Sequence, residues 1–474
     1  MITFIASIVA LILGYIIYGK FVERIFGADK NKKTPAYTQN DGVDYVPLPW
    51  GKVFLIQFLN IAGLGPIFGA ILGATYGPIA FLWIVFGCIF GGAVHDYFSG
   101  MLSVRNNGAS IPEVVGKYLG TGFKQFMRAF TVLLMILVGA VFVVGPAGIL
   151  ESLTPESLTK TFWVYVVLLY YILATLLPID KLIGRIYPLF GAALLFMAIG
   201  IGAALIFGNY NLVELGQSTF HNMKANSSSF PAFPLLFVTI ACGAISGFHS
   251  TQSPLMARCL ENEKLGRRVF YGAMITEGIV ALIWAAAAMN FFGGVPQLNA
   301  ALAEHHNDAA WVVKIISDTT LGKLGGILAI LGVVAAPITS GDTAFRSARL
   351  IVADFLKFKQ KKIVNRLLIS VPLFAIGYAL TQFNFAIIWR YMAWSNQTLA
   401  TIVLWAITVY LAKEKKPYWI TLIPAIFMTA VVSTYILIAP EGFRLPHTIS
   451  YVIGGVSVIA SIVGFSFFLK KEKI

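Results

Sequence analysis

Thirteen apolar stretches, each close to the roughly 20 residues that cross a bilayer as a helix, recur along the chain. They cover residues 2–19, 51–75, 78–102, 123–150, 161–178, 187–208, 234–257, 269–293, 324–350, 364–382, 388–411, 417–438 and 447–469. Polar residues gather between them, so the pattern predicts an all-α, polytopic membrane protein of about 13 transmembrane helices. The first stretch lacks a basic start and a small-residue cleavage site, and is expected to stay as a helix rather than leave as a signal peptide. The longest connections, 20–50, 208–233 and 294–323, run to about thirty residues and are too short to bury cores of their own. Activity is therefore expected within or across the bilayer.

Basic residues sort by the parity of these segments. Flanks and ends after the odd-numbered segments hold 29 Lys and Arg, and those after the even-numbered ones hold 6. By the positive-inside rule the N-terminus is expected outside and the Lys470, Lys471, Lys473 tail in the cytoplasm. Of the 474 residues, 58% are apolar and 12% charged, against about 25% charged in soluble domains. That excludes a soluble enzyme, a disordered chain and a coiled coil. The net charge of +14 then belongs to the membrane surface, with lipid as its partner and no nucleic acid implied. Cys88, Cys242 and Cys259 lie far apart, with neither metal-ligand spacing nor a disulfide framework.

Two segments look interrupted. Irregular backbone survives at membrane depth only where it lines a cavity or packs against protein. Segment 2 carries Asn60-Ile61-Ala62-Gly63-Leu64-Gly65-Pro66 halfway along, and segment 7 carries Gly243 to Pro254 with Ser246, Gly247, His249, Ser250, Thr251, Gln252 and Ser253 between them. Ser253-Pro254 reads as an N-cap followed by proline at the first helical position, so a second half-helix is expected to start there. Its free N–H groups and positive dipole end would attract a carboxylate, and Pro66 offers a similar start. The two interrupted segments lie five apart and run in opposite directions, as an inverted repeat requires. This resembles the LeuT-type architecture of the amino acid–polyamine–organocation superfamily. Repeats would then span 51–208 and 234–411, with 1–50 ahead of them and two helices, 412–474, after.

Ionisable groups inside spans mark candidate function. His95, Asp96 and Glu277 are candidates for carrying coupling protons. In segment 9, Asp342 and Arg346 are four apart and suited to an internal ion pair; Asp342 is also a candidate proton carrier, and either charge would stand in for a bound ion and leave proton coupling. Thr339, Ser340 and Thr343 offer hydroxyls for a sodium ion, the role that the LeuT-type resemblance implies for this helix. Segment 11 places Trp394, Asn396 and Gln397 as candidate pathway lining. His305 and His306 read as a solvated outer loop. No P-loop, HExxH, GxSxG or CxxC pattern occurs, so ATP-driven transport and intramembrane proteolysis lack their signatures. A metal-dependent enzyme would have to use His95, Asp96 and His249 without a standard zinc spacing.

Several stretches together resemble the carbon starvation protein A (CstA) family. They are Asp41–Tyr45, the Ile61–Pro66 break, Gly92–Tyr97, Cys242–Arg258, Ile338–Ala348 and Trp389–Ala400. The resemblance implies a starvation-induced transporter of the bacterial inner membrane that takes up peptides or pyruvate, with no cofactor. It also implies that the C-terminal extension of longer members is missing here. The combined expectation is a secondary active importer working by alternating access. Substrate would sit between Gly63, Gly65, Pro66 and Ser246–Ser253, with protons or sodium as the coupling ion. A nutrient receptor without turnover is the rival.

Overall fold

A computed structural model describes residues 1–176, 183–208, 210, 212–360 and 362–472; the last two residues of the predicted 161–178 segment lie outside them. The described residues are helical, and the sole bridge among them pairs Leu48 with Leu260 in parallel. The helices that matter below are α1 (Ile2–Phe26), α2 (Trp50–Ile61), α3 (Gly65–Ala74), α4 (Ile79–Arg105) and α5 (Thr121–Glu151). They continue with α6 (Lys160–Leu176), α7 (Ile183–Phe207), α8 (Ala232–Thr239), α9 (Gly247–Ala257) and α10 (Glu263–Phe291). The last five are α11 (Ala309–Leu356), α12 (Ile363–Leu380), α13 (Phe385–Lys413), α14 (Trp419–Ile438) and α15 (His447–Glu472).

Among the described residues nine helices are long and apolar enough to cross a bilayer, and ten if the bent pair α2–α3 counts as one. The other three predicted segments are α6, the split pair α8–α9, and the 48-residue α11, which kinks at Gly322. Apolarity alone does not say which helices are central, but burial does. α10 is 89% buried over its apolar window while α15 is 11% buried, so α10 stands in the middle and α15 on the lipid-facing rim. The centre is built from α2, α3, α9 and α10, enclosed by α4, α5, α11 and α13.

Both interruptions are present. The chain bends by 56° between α2 and α3, and α3 starts at Gly65 with Pro66 in its first turn, where a missing N–H costs nothing. Between α8 and α9 residues 240–246 leave the helix, and Ser246 is extended at φ −143° and ψ 125°. The second half-helix starts at Gly247, seven residues before the expected restart at Pro254, which lies inside α9. Ser253, expected to cap, instead donates its hydroxyl to the His249 carbonyl at 3.0 Å within the helix, the back-bond available to a mid-helix serine. What fixes the true start is a side chain from elsewhere in the fold, described below.

The 27–49 loop folds back across the helix ends. Thr34 donates to the Leu260 carbonyl at 2.5 Å and the Leu48 amide donates to the Cys259 carbonyl at 3.1 Å. This ties the loop to the residues that follow α9.

Candidate functional site

The two breaks meet. A Cβ on Gly65 would collide with the side chain of Cys242, and Gly243 lies against the Pro66 backbone and Ala281 of α10. Small residues here let non-helical backbone approach non-helical backbone, the arrangement that keeps such stretches away from lipid. α4 joins them through Gly92, whose position has no room for a Cβ beside the Ala244 carbonyl.

α9 begins with its amides held by α13. Asn396 Oδ1 accepts from the Phe248 amide at 2.5 Å and from the Ser246 hydroxyl at 3.1 Å, while its Nδ2 donates to Cys242 Sγ at 3.5 Å. Asn396 thus does for α9 what an N-cap residue does locally, and takes up one of the amides expected to await a substrate carboxylate. Gln397 donates to the Phe237 carbonyl of α8 at 2.6 Å, and Trp394 donates to Val432 of α14 at 3.0 Å. Asn396 and Gln397 therefore hold the broken helix, and Trp394 faces away from it. Asn396→Ala is expected to lower stability by about 1–2 kcal/mol, the upper part of the range for losing a cap, read as a fall in thermal unfolding temperature.

Four titratable side chains, all fully buried, form a chain across three helices. His95 and Asp96 lie on α4, His249 on α9 and Glu277 on α10. Asp96 lies with one oxygen 2.8 Å from His95 Nδ1 and the other 2.9 Å from His249 Nδ1. A carboxylate can only accept, so both Nδ1 atoms carry hydrogens and the opposite Nε2 atoms are left for other partners. His249 Nε2 lies 3.4 Å from Glu277 Oε2, and neither atom makes a hydrogen bond among the described residues. A proton shared between them would satisfy both. One donor atom each of Cys242, His249 and Glu277 also fall within 4.8 Å of one another, so the same corner has the donors to hold a cation.

Other predicted residues distribute differently. Ser340 of α11 lies 2.9 Å from the Leu59 carbonyl near the end of α2 and equally close to the Ala336 carbonyl. Thr339 and Thr343 donate to carbonyls of their own helix. Ser250 and Thr251 donate to carbonyls of the first turn of α9, and Gln252 donates to the Thr251 hydroxyl. Asp342 and Arg346 lie on the same helix, and Arg346 reaches Asp44 of the 27–49 loop at 3.5 Å.

A cavity of about 1180 Å³ opens at the other end of the bundle. Phe68, Val238, Thr239 and Trp389 belong to its lining, so it touches both α3 and α8 but not the quartet. Lys160, Lys224, Lys314 and Arg390 line it against Glu151 and Asp308, a net excess of two positive charges. Lys224, on the 208–233 connection, was not singled out in the sequence because a lone loop lysine carries no signal. Here it donates to Thr75 at 2.8 Å and lies over the Tyr76 and Phe230 rings. Burial brings its pKa down to about 8.

Similarity to known proteins agrees with this picture. An uncharacterised membrane protein of Haemophilus influenzae is 45% identical over 350 residues, covering 64% of this chain and 94% of its own. The peptide transporter CstA of Campylobacter jejuni is 27% identical over 94% of this chain and 82% of its own. The pyruvate/proton symporter BtsT of Escherichia coli is 26% identical over 60% of this chain, which spans 48% of that longer protein. Among solved structures, a manganese transporter of Eremococcus coleocola shares the fold, with a TM-score of 0.56 over 91% of this chain and 98% of its own at 12% identity. The sequence profile described as Carbon starvation protein CstA matches residues 1–156, 149–323 and 312–435. With nearly the whole chain matched by that profile, this all-helical, multi-pass membrane protein belongs to the carbon starvation protein CstA family.

Proposed function

We propose that the protein is a secondary active importer of small carboxylate nutrients, peptides or pyruvate, working by alternating access and coupled to protons in the bacterial inner membrane. The observation that carries the reading is the buried chain His95–Asp96–His249–Glu277 set directly against a broken helix. An uncompensated ionisable group is expensive at membrane depth, and four together beside non-helical backbone suit a proton that loads and leaves. A proton shared between Glu277 and His249 sits one hydrogen bond from the Asp96 carboxylate, so its loading and release change the charge of the quartet by one. The relatives' names support substrate classes that share a carboxylate. Blocks 51–208 and 234–411, headed by α2–α3 and α8–α9, act as the inverted repeats. With the N-terminus outside by the positive-inside rule, the cavity of about 1180 Å³ serves as an outer vestibule, which is the arrangement an outward-open state requires.

Reconstituted into proteoliposomes, the protein is expected to take up labelled pyruvate or a labelled dipeptide faster under an inward proton gradient. Unchanged uptake of every such solute under proton and sodium gradients alike overturns the reading. Glu277→Gln separates coupling from binding. The amide can still donate to His249 Nε2 but cannot release a proton, so gradient-free counterflow should persist while proton-driven accumulation is lost. Sodium coupling is favoured by one contact, Ser340 beside the Leu59 carbonyl at the first break. A response to sodium that Ser340→Ala removes would decide for it.

Lys224 supplies a pH signature. Its ammonium is present below pH 8 and is lost as pH rises through about 8, where an exposed lysine stays charged to about 10.4. Outer-face affinity for an anionic solute should therefore weaken as pH climbs from 7 to 9, measured as KM in counterflow without a proton gradient. Lys224→Met should start weak and stay flat across that range. An identical pH profile in the variant would show that Lys224 does not attract the substrate.

A further inference from the structure

Asp44 has no part in the coupling chain, yet it is buried at the bundle end opposite the vestibule. The opposition is fixed by α12, which places Arg366 near its start beside Asp44 and leads at its other end into Phe383 and Asn384 of the cavity wall. Asp44 Oδ1 lies 3.5 Å from Arg346 Nη1 and 4.0 Å from Arg349 Nη2. Arg258, which directly follows α9, and Arg366 of α12 are close enough to act on the same carboxylate. All four arginines are buried.

This is a loose fit for so much charge. Arginine is suited to paired hydrogen bonds with a carboxylate at about 2.7–2.9 Å, and Asp44 Oδ1 makes no hydrogen bond among the described residues. Burial raises its pKa, but the four guanidiniums together outweigh that and hold it below the ordinary carboxylate range. Asp342 and Asp354 are the other acidic groups that face these arginines. Four guanidiniums thus meet three carboxylates, and withdrawal of Asp44 would leave two positive charges uncompensated in a region sheltered from water. An anion of the right shape is then required.

The place also lies next to the broken helix. A small cleft of about 10 Å³, lined by Ser110, Thr251, Pro254, Arg258 and Ser347 among others, lies between α9 and α11. Ser347 donates across it to the Thr251 carbonyl at 3.1 Å. Arg258 donates to the Gly108 carbonyl at 2.9 Å and lies over the ring of Tyr45, the neighbour of Asp44. The loop and the foot of the half-helix close this end together.

We propose that Arg258, Arg346, Arg349 and Arg366 form a carboxylate-binding site at the exit side, which Asp44 occupies as a tethered stand-in. The carboxylate of a leaving solute takes the site when the 27–49 loop withdraws. The exit role rests on the transport reading above, whereas the site itself does not. A tethered group competes at an effective concentration of roughly millimolar, so the intact protein hides the site from free anions.

The test is carboxylate binding to the full-length protein in detergent, read as thermal stabilisation by sodium acetate or sodium pyruvate against sodium chloride at equal ionic strength. Asp44→Ala should unfold at a lower temperature in chloride and regain stability with carboxylate, half-saturating at least about 10-fold below wild type, since the tethered competitor is gone. Asp44→Asn should behave alike, which covers the case where alanine does not fold. Asp44→Ala combined with Arg346→Gln should lose the carboxylate response. No carboxylate-specific stabilisation in either Asp44 variant, or an equal response in the double variant, overturns the site. Binding in Asp44→Ala with no uptake of any solute by the wild type would leave the site standing and remove its exit role.

Discussion

Asp96→Asn is expected to reduce proton-driven uptake by on the order of 10²–10³-fold in proteoliposomes, with the protein still folded and monodisperse. Asp96 is the junction of the buried chain, because each of its oxygens meets an Nδ1 of a different histidine. Asparagine keeps the shape but offers one acceptor and one donor group. The donor faces an Nδ1–H, so one imidazole must change tautomer and present a hydrogen from Nε2. If that ring is His249, its Nε2 no longer accepts from Glu277 at 3.4 Å, and the shared proton has nowhere to sit. If it is His95, the charge that would stabilise an added proton on His249 is missing all the same. Removing one partner of a buried charged set costs roughly 3–5 kcal/mol, and 1.4 kcal/mol is tenfold, which sets the scale.

The control is built into the geometry. The quartet lies outside the vestibule lining, so the outer-face KM should change far less than the rate. Counterflow at fixed pH, where no net proton movement is needed, should fall less than gradient-driven accumulation. An Asp96→Asn protein that accumulates solute with the wild-type dependence on the proton gradient would remove the quartet from the coupling mechanism.

How much of this was legible in the sequence depends on how far apart the deciding residues lie. The break at Gly63–Pro66 is local, and glycines with a proline announce it, so α3 starts where expected. The break before α9 was legible as a break but not at its edge. The local signal Ser253-Pro254 competed with Asn396, about 150 residues later, whose amide takes the Phe248 N–H. No window along the chain contains that contact. His95, Asp96 and Glu277 stood out one by one because ionisable residues are rare in spans. The polar run around His249 marks it in the sequence as a substrate contact, and its place between Asp96 and Glu277 follows only from packing α4, α9 and α10 together. Arg346 was paired with Asp342 by the four-residue spacing. In the structure Arg346 reaches Asp44 at 3.5 Å, on a loop whose return to the helix ends apolarity patterns do not encode.

Gly247→Ala is expected to be severely damaging, lowering the thermal unfolding temperature sharply and abolishing uptake. The added Cβ would stand 2.5 Å from the Ala400 nitrogen and closer still to the Asn396 carbonyl oxygen. Both are backbone atoms of α13, so no rotamer change relieves the clash. Moving α13 would pull Asn396 from the Phe248 amide and Gln397 from the Phe237 carbonyl, exposing the first amides of a half-helix in a place without water. Overpacking alone costs about 1–3 kcal/mol, and the lost cap adds about 1 more. Gly455→Ala is the matched control, because nothing lies within 4 Å of its Cβ position inside α15. There alanine should be neutral or slightly stabilising, since it limits the unfolded chain and suits a helix interior. Wild-type stability and uptake in Gly247→Ala would mean that α9 and α13 are not locked at the break, and the account of how this half-helix is started and held would fall with them.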